Sequence, residues 1–241
     1  MIVLALLACG PERPPESLHV VAASSLTGAF EAIAVVFEAE NPGVDVELAF
    51  AGSQVHRLQL EQGLEADVFA SADPEHVEAL VRSGIVARTE GFAHNALVVV
   101  VPRATSGVER FEDLGAAERV VIGTEGVPAG RYAREVLERS VDTMPGLRDA
   151  VLAHVVSEES NVRLVRAKVE LGEADAAFVY KTDALGRDAL RVIEIPEPLG
   201  VRAEYVMGIV AAGDRALAER WVALVRSDAG QAHLAAHGFG P

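Results

Sequence analysis

Ala22-Ala23-Ser24-Ser25-Leu26-Thr27, directly after the apolar run Leu18-His19-Val20-Val21, is the stretch on which the fold turns. A strand ends here and a helix begins, because Leu26, Ala29, Phe30, Ile33, Val36 and Phe37 recur at helical spacing. The serines therefore fall where a helix presents N–H groups that have no partner inside it. Such an end is a neutral anion site, with a partial positive dipole and aimed donors but no full charge. Taken alone it is equally an ordinary N-cap. What decides is whether the chain builds the same device again.

It does, three more times. Asn41-Pro42-Gly43 breaks the first helix, and residues 44–50 alternate, with Val44, Val46, Leu48 and Phe50 on one face. That strand runs into Gly52-Ser53, where a second helix starts. Ala66-Asp67-Val68-Phe69-Ala70-Ser71 reads as a third strand, followed by a helix with Asp73 as cap and Pro74 in its first turn. Residues 94–101 are a long apolar strand closed by Pro102, giving an order βαβαβαβ and a mainly parallel sheet with helices on its faces.

A second series follows. Val120-Val121-Ile122-Gly123 is a strand, and Val127-Pro128-Ala129-Gly130 opens a helix. A strand is expected at 151–156, with 157–161 as a loop before the helix opened by Asn161-Val162. Ala176 to Tyr180 and residues 190–195 are further strands, and a last strand at 204–211 precedes two helices. If the two series are two lobes, the chain crosses near 94–101 and returns near 202–208, making a hinge with a cleft between the lobes.

The bounds agree with this. The 241 residues allow one large or two smaller domains, half of them hydrophobic and 5% aromatic. A formal charge of −15 argues against nucleic acid as a partner. It also repels small anions at long range, so an anion site has to win by local geometry within the screening distance of about 10 Å. No phosphate loop, nucleophile elbow or zinc-protease motif is present, and no base or nucleophile is expected to face the cleft, so enzyme chemistry is not expected. His233 and His237 share a helix face without a third ligand, and no free-cation site or cofactor is expected. Cys9 is the single cysteine. Leu6-Leu7-Ala8-Cys9-Gly10 resembles a lipobox, which marks 1–17 as a lipoprotein signal and tether, with Cys9 the lipid anchor and the only membrane attachment of an exported protein.

The polar clusters at strand ends are Ser25, Ser53, the N–H groups of Ala129 and Val162, and the phenol of Tyr180. All fall on loop ends that border the cleft of an open α/β sheet.

A-A-S-S-L-T at Ala22 to Thr27, F-A-G-S at Phe50 to Ser53 and A-D-V-F-A-S-A-D at Ala66 to Asp73 resemble the molybdate-binding proteins of bacterial ABC uptake systems, a group of type II periplasmic binding proteins. V-P-A-G-R-Y-A at Val127 to Ala133, N-V-R at Asn161 to Arg163 and F-V-Y-K-T-D-A at Phe178 to Ala184 extend the resemblance over nearly the whole chain from Leu18. It implies a two-lobed α/β fold, each lobe a mixed, mainly parallel sheet flanked by helices: 18–97 with 204–241 as one lobe, 98–203 as the other. It implies that the hydroxyls of Ser25, Ser53 and Tyr180 and the N–H groups of Ala129 and Val162 hold molybdate or tungstate. Ser24 stands where the family commonly has Ala, and is an additional candidate. Arg131 is expected to point outward. The implied partner is an inner-membrane ABC permease, and the implied protein is a periplasmic or extracytoplasmic monomer. The alternatives are a binding protein for sulfate, phosphate or ferric iron, an enzyme on the same fold, or the sensing domain of a regulator.

Overall fold

The computed structural model describes residues 16–104 and 107–241, so Cys9 and the expected signal and tether as far as residue 15 lie outside the described residues, whereas Glu16 and Ser17, expected in the tether, are strand. β1 (Glu16–Ala23) leads through a tight 3-10 turn (Ser24–Leu26) into α1 (Thr27–Glu40). β2 (Val44–Ala51), α2 (Ser53–Glu61), β3 (Val68–Ser71) and α3 (Pro74–Arg82) repeat the unit. β1 lies between β2 and β3 and is parallel to both. The loops leaving these three strands therefore open on one edge, where open α/β sheets bind ligands. Asp73 caps α3 by accepting from the Glu75 N–H at 2.9 Å, with Pro74 in the first helical position.

β4 (Val86–Pro102) joins the two halves of the molecule. The second half is built from β5 (Val120–Gly123), α4 (Pro128–Arg139), α5 (Leu147–Ala153), β6 (Val155–Glu159), α6 (Val162–Glu170) and β7 (Ala176–Tyr180). Here β5 lies between β6 and β7, again all parallel. α7 (Lys181–Ala184), β8 (Leu190–Glu194), β9 (Arg202–Val210), α8 (Arg215–Arg226) and α9 (Asp228–Ala236) complete the chain. The strand order is β2-β1-β3-β9-β4-β7-β5-β6, with β8 also on β4. β4 pairs antiparallel with β9 as far as Ala96, which faces Arg202, and with β7 from Leu97, which faces Tyr180. The two pairings thus meet between consecutive residues.

Val98 to Val101 are fully buried and carry the apolar core from one half to the other. Phe30 and Phe37 of α1 meet Trp221 of α8 edge-on at 5.4 and 5.5 Å, clamping the C-terminal helices onto the first half. Among the described residues no helix is long and apolar enough to cross a membrane.

Two elements differ from the sequence expectation. Residues 147–153 are helix and the strand occupies 155–159. Leu147 and Val151 are buried one helical turn apart, while Val156 and Glu158 of β6 face solvent because β6 ends the strand order. β4 begins at Val86, eight residues before the apolar run. That first stretch has β9 on one side only and carries Arg88 and Glu90, which pair with each other at 2.6 Å.

Candidate ligand-binding site

The strand ends of both halves and the first turns of α2, α4 and α6 converge on one small cavity. Ser24 and Ser25, Ser53, Ala129, Val162 and Tyr180 all line it, so every residue singled out from sequence reaches one place. No charged side chain is among the described residues of its wall.

Local sequence explains the donors. Ser53, Ala129 and Val162 lie in first helical turns, whose N–H groups have no intrahelical acceptor. In α4 the first position is Pro128, which has no N–H to satisfy, so the free donors begin at Ala129. Gly130 lets α4 seat against β5, because a Cβ there would stand 2.2 Å from the Gly123 carbonyl oxygen. In α6 the Asn161 side chain accepts from the Leu164 N–H at 3.1 Å and leaves the Val162 N–H to the cavity.

The hydroxyls are also set. Ser53 Oγ accepts from the Ala72 N–H at 3.2 Å, so its own proton is free to turn to the cavity. Ser25 Oγ lies 2.8 Å from the hydroxyl of Tyr205, whereas Ser24 is held through its carbonyl, which accepts from Thr27 Oγ1 at 2.7 Å. Tyr180 is 1% exposed, and its hydroxyl has no hydrogen-bond partner among the described residues. Burial pushes this phenol well above its ordinary pKa, so it stays protonated and a donor.

Contacts also cross between the halves beside the cavity. Gln54 Nε2 donates to the Ser160 carbonyl at 2.8 Å, and His76 Nε2 donates to the Gly126 carbonyl at 3.0 Å. Arg131 stays out of the cavity wall, as expected, but its guanidinium is not left free in solvent. Its Nε donates to Asp73 Oδ2 at 2.9 Å, its Nη2 makes a second short contact to the same oxygen, and the guanidinium lies 4.5 Å over the Tyr132 ring. Asp73 sits 3% exposed at the cap of α3, and a buried carboxylate needs a partner, which outweighs the solvation Arg131 would gain outside.

Tyr205 of β9, which reaches Ser25, and Asn95 of β4, which reaches Tyr205, were not signalled by sequence. An aromatic within a strand reads as core, and these partners lie 180 and 110 positions apart along the chain.

Asp183, three residues after Tyr180, is held from below. Its carboxylate accepts from the Tyr180 N–H, with Arg166 3.9 Å away. Burial nevertheless wins and pushes its pKa up to about 6. A carboxyl raised on folding binds more protons in the folded than in the unfolded state, so its stabilising contribution is present at low pH and is lost as pH rises through about 4 to 6. Asp183→Asn is therefore expected to gain stability relative to wild type by about 1.4 kcal/mol per pH unit across that window. Melting curves of both proteins at stepped pH check this, and a difference that stays flat would show that burial does not raise this group.

Comparison with known proteins places this geometry. The model of the bacterial extracellular solute-binding protein family matches residues 18–240. The molybdate-binding protein ModA of Mycobacterium tuberculosis is 36% identical over 256 residues, covering 99% of this chain and 94% of that protein. ModA of Escherichia coli is 33% identical over 204 residues, covering 80% and 77%. The solved periplasmic molybdate-binding protein of Azotobacter vinelandii superposes with a TM-score of 0.81 at 23% identity, over 93% of this chain and 99% of that one, which shows the fold. The chain belongs to the bacterial extracellular solute-binding protein family, as a relative of the ModA proteins.

Proposed function

We propose that this protein captures molybdate, and tungstate as a second ligand, in the cleft between two lobes and delivers it to an ABC permease outside the cytoplasm. In this reading 16–97 with 204–241 form one lobe, 98–203 the other, and 1–15 are signal and tether, with Cys9 lipidated. The observation that carries it is the Tyr180 hydroxyl, a buried donor without a partner among the described residues, in an uncharged cavity that is also lined by first-turn residues from both halves.

A tetrahedral dianion offers only acceptors, and every cavity group singled out above has a proton to give. Hydrogen bonds to a charged acceptor contribute roughly 1.5–3 kcal/mol each, so a handful of neutral donors replaces a hydration shell without a lysine or arginine. Neutral donors from opposite halves also let the ligand go once the halves separate, which suits hand-over to a permease. Molybdate and tungstate are larger than sulfate, and a cavity closed around them leaves the hydrogen bonds of a smaller anion too long. The reading extends the names of the relatives to this chain, and it assigns no covalent chemistry to the cavity.

Calorimetric titration of the protein with molybdate, tungstate, sulfate and phosphate tests it. One-to-one binding of the first two alone is expected. Binding of sulfate or phosphate alone would overturn the ligand, and silence from all four would overturn the oxyanion reading. Ser53→Ala is expected to lose about 1–3 kcal/mol of molybdate binding in the same titration. It is also expected to melt lower without ligand, because the Ala72 N–H loses its acceptor.

A further inference from the structure

Tyr205 takes no place in the cavity wall, yet its hydroxyl is 2.8 Å from Ser25 Oγ, and either oxygen can donate. The third group decides the direction. Asn95 Oδ1 accepts from the Ala96 N–H at 3.0 Å, which turns Nδ2 toward Thr182 Oγ1 at 2.8 Å and toward the Tyr205 hydroxyl at 3.5 Å. An amide nitrogen only donates, so the Tyr205 oxygen accepts on that side and its proton points to Ser25. Burial raises the pKa of this phenol too, so it keeps that proton. The ring is held edge-on against Tyr180 at 5.8 Å, Phe92 at 6.1 Å and Phe239 at 5.2 Å, which fixes the position of the hydroxyl oxygen between Ser25 and Asn95. Ser25 Oγ, once it accepts from Tyr205, has its own proton left for the cavity.

We propose that Tyr205 and Asn95 are positioning residues that lock the Ser25 hydroxyl as a donor to the bound oxyanion, through a one-way chain from Asn95 to Tyr205 to Ser25 to ligand. This rests on the oxyanion reading of the cavity. The chain polarises each hydroxyl toward the ligand, and Asn95 is tied to the other half by a side bond, because its Nδ2 also donates to Thr182 Oγ1 just after Tyr180. A ligand oxygen that carries a proton would meet a second donor at Ser25, so the lock favours fully deprotonated oxyanions.

The test is a double-mutant cycle on the full chain, read by calorimetric titration with molybdate. Tyr205→Phe keeps the ring and removes the lock, and is expected to weaken binding about 5- to 30-fold; in a Ser25→Ala background the same change is expected to alter affinity less than about twofold, because there is no hydroxyl left to direct. Asn95→Asp, which replaces the donor facing Tyr205 by an acceptor, is expected to draw the phenol proton away from Ser25 and to weaken binding as well. Losses that multiply in the double variant would show that Tyr205 merely supports the cavity, and would overturn the proposal. Should Tyr205→Phe fail to fold, the Asn95→Asp and Ser25→Ala pair gives the same cycle. Wild type that binds no oxyanion overturns the functional reading itself, whereas wild type that binds while losses multiply overturns only the lock.

Discussion

Gly52→Ala is expected to weaken molybdate binding by about 100-fold or more while lowering the melting temperature of the ligand-free protein by only a few degrees. Gly52 is the N-cap of α2 with φ −67° and ψ 142°, a conformation alanine adopts freely, so the backbone is not strained by the change. What a methyl group meets is the other half of the molecule. Its nearest neighbour would be the Ser160 carbonyl oxygen at 2.3 Å, an oxygen held in place ahead of α6. Gln54 would also lie close, but its side chain can swing away. The halves must then part by about 1 Å where Ser160 approaches, and hydrogen bonds weaken steeply on that scale. The Gln54 to Ser160 bond opens, and the Val162 N–H moves away from a ligand held on Ser53. Losing one charge-assisted bond at roughly 1.5–3 kcal/mol and one neutral bond at roughly 0.5–1.5 kcal/mol gives about 2–4.5 kcal/mol, on the order of 100-fold. Without ligand, alanine at an N-cap costs about 1 kcal/mol, or about 2–4 °C for a chain of this size. Gly126→Ala is the control at the same junction, because its Cβ would meet Gln54 Cγ at an ordinary 3.5 Å. Equal losses in the two variants would show that approach of the halves at Ser160 is not needed for binding.

That junction also marks the limit of what the sequence discloses. The recurring strand, small polar residue and helix start are local signals, since N-caps and proline in the first turn act within four residues. Ser25, Ser53, Ala129, Val162 and Tyr180 could therefore be picked one by one, and the alternation of βα units predicts that their loops share an edge. Contacts between distant segments carry no such signal. Nothing in the residues near Arg131 announces that Asp73, 58 positions earlier, would take it as a partner, and solvation alone favours an outward arginine. Tyr205 is core by burial, within a strand; its hydroxyl matters because Ser25 and Asn95 arrive from elsewhere. Edge strands were misjudged for a related reason. The start of β4 and the whole of β6 have a neighbour on one side only, so they tolerate charges that a period-two pattern counts against a strand.

Tyr180→Phe is expected to change sign with ligand: no lower melting temperature than wild type in its absence, and a clearly lower one in excess molybdate. The phenol is 1% exposed and its ring packs edge-on against Tyr205, contacts that phenylalanine retains. Its hydroxyl makes no bond to the described residues, so removing it breaks none of their contacts in the ligand-free fold and leaves stability there unchanged or slightly raised. With an oxyanion present the same hydroxyl donates to a charged acceptor, a bond of roughly 1.5–3 kcal/mol, so affinity is expected to fall by about 10- to 150-fold. A ligand stabilises the folded state in proportion to the logarithm of its concentration over Kd, and that lost affinity outweighs the small gain without ligand. The melting curves of the two proteins should therefore cross as molybdate is added. Ser53→Ala makes the contrast, because Ser53 serves Ala72 as well as the cavity and its loss is expected to lower stability in both conditions. A Tyr180→Phe protein that melts lower than wild type without ligand would show the hydroxyl to be part of the fold. One that binds molybdate as tightly as wild type would remove Tyr180 from the site, and the buried phenol would then need another reason to face a cavity built of donors.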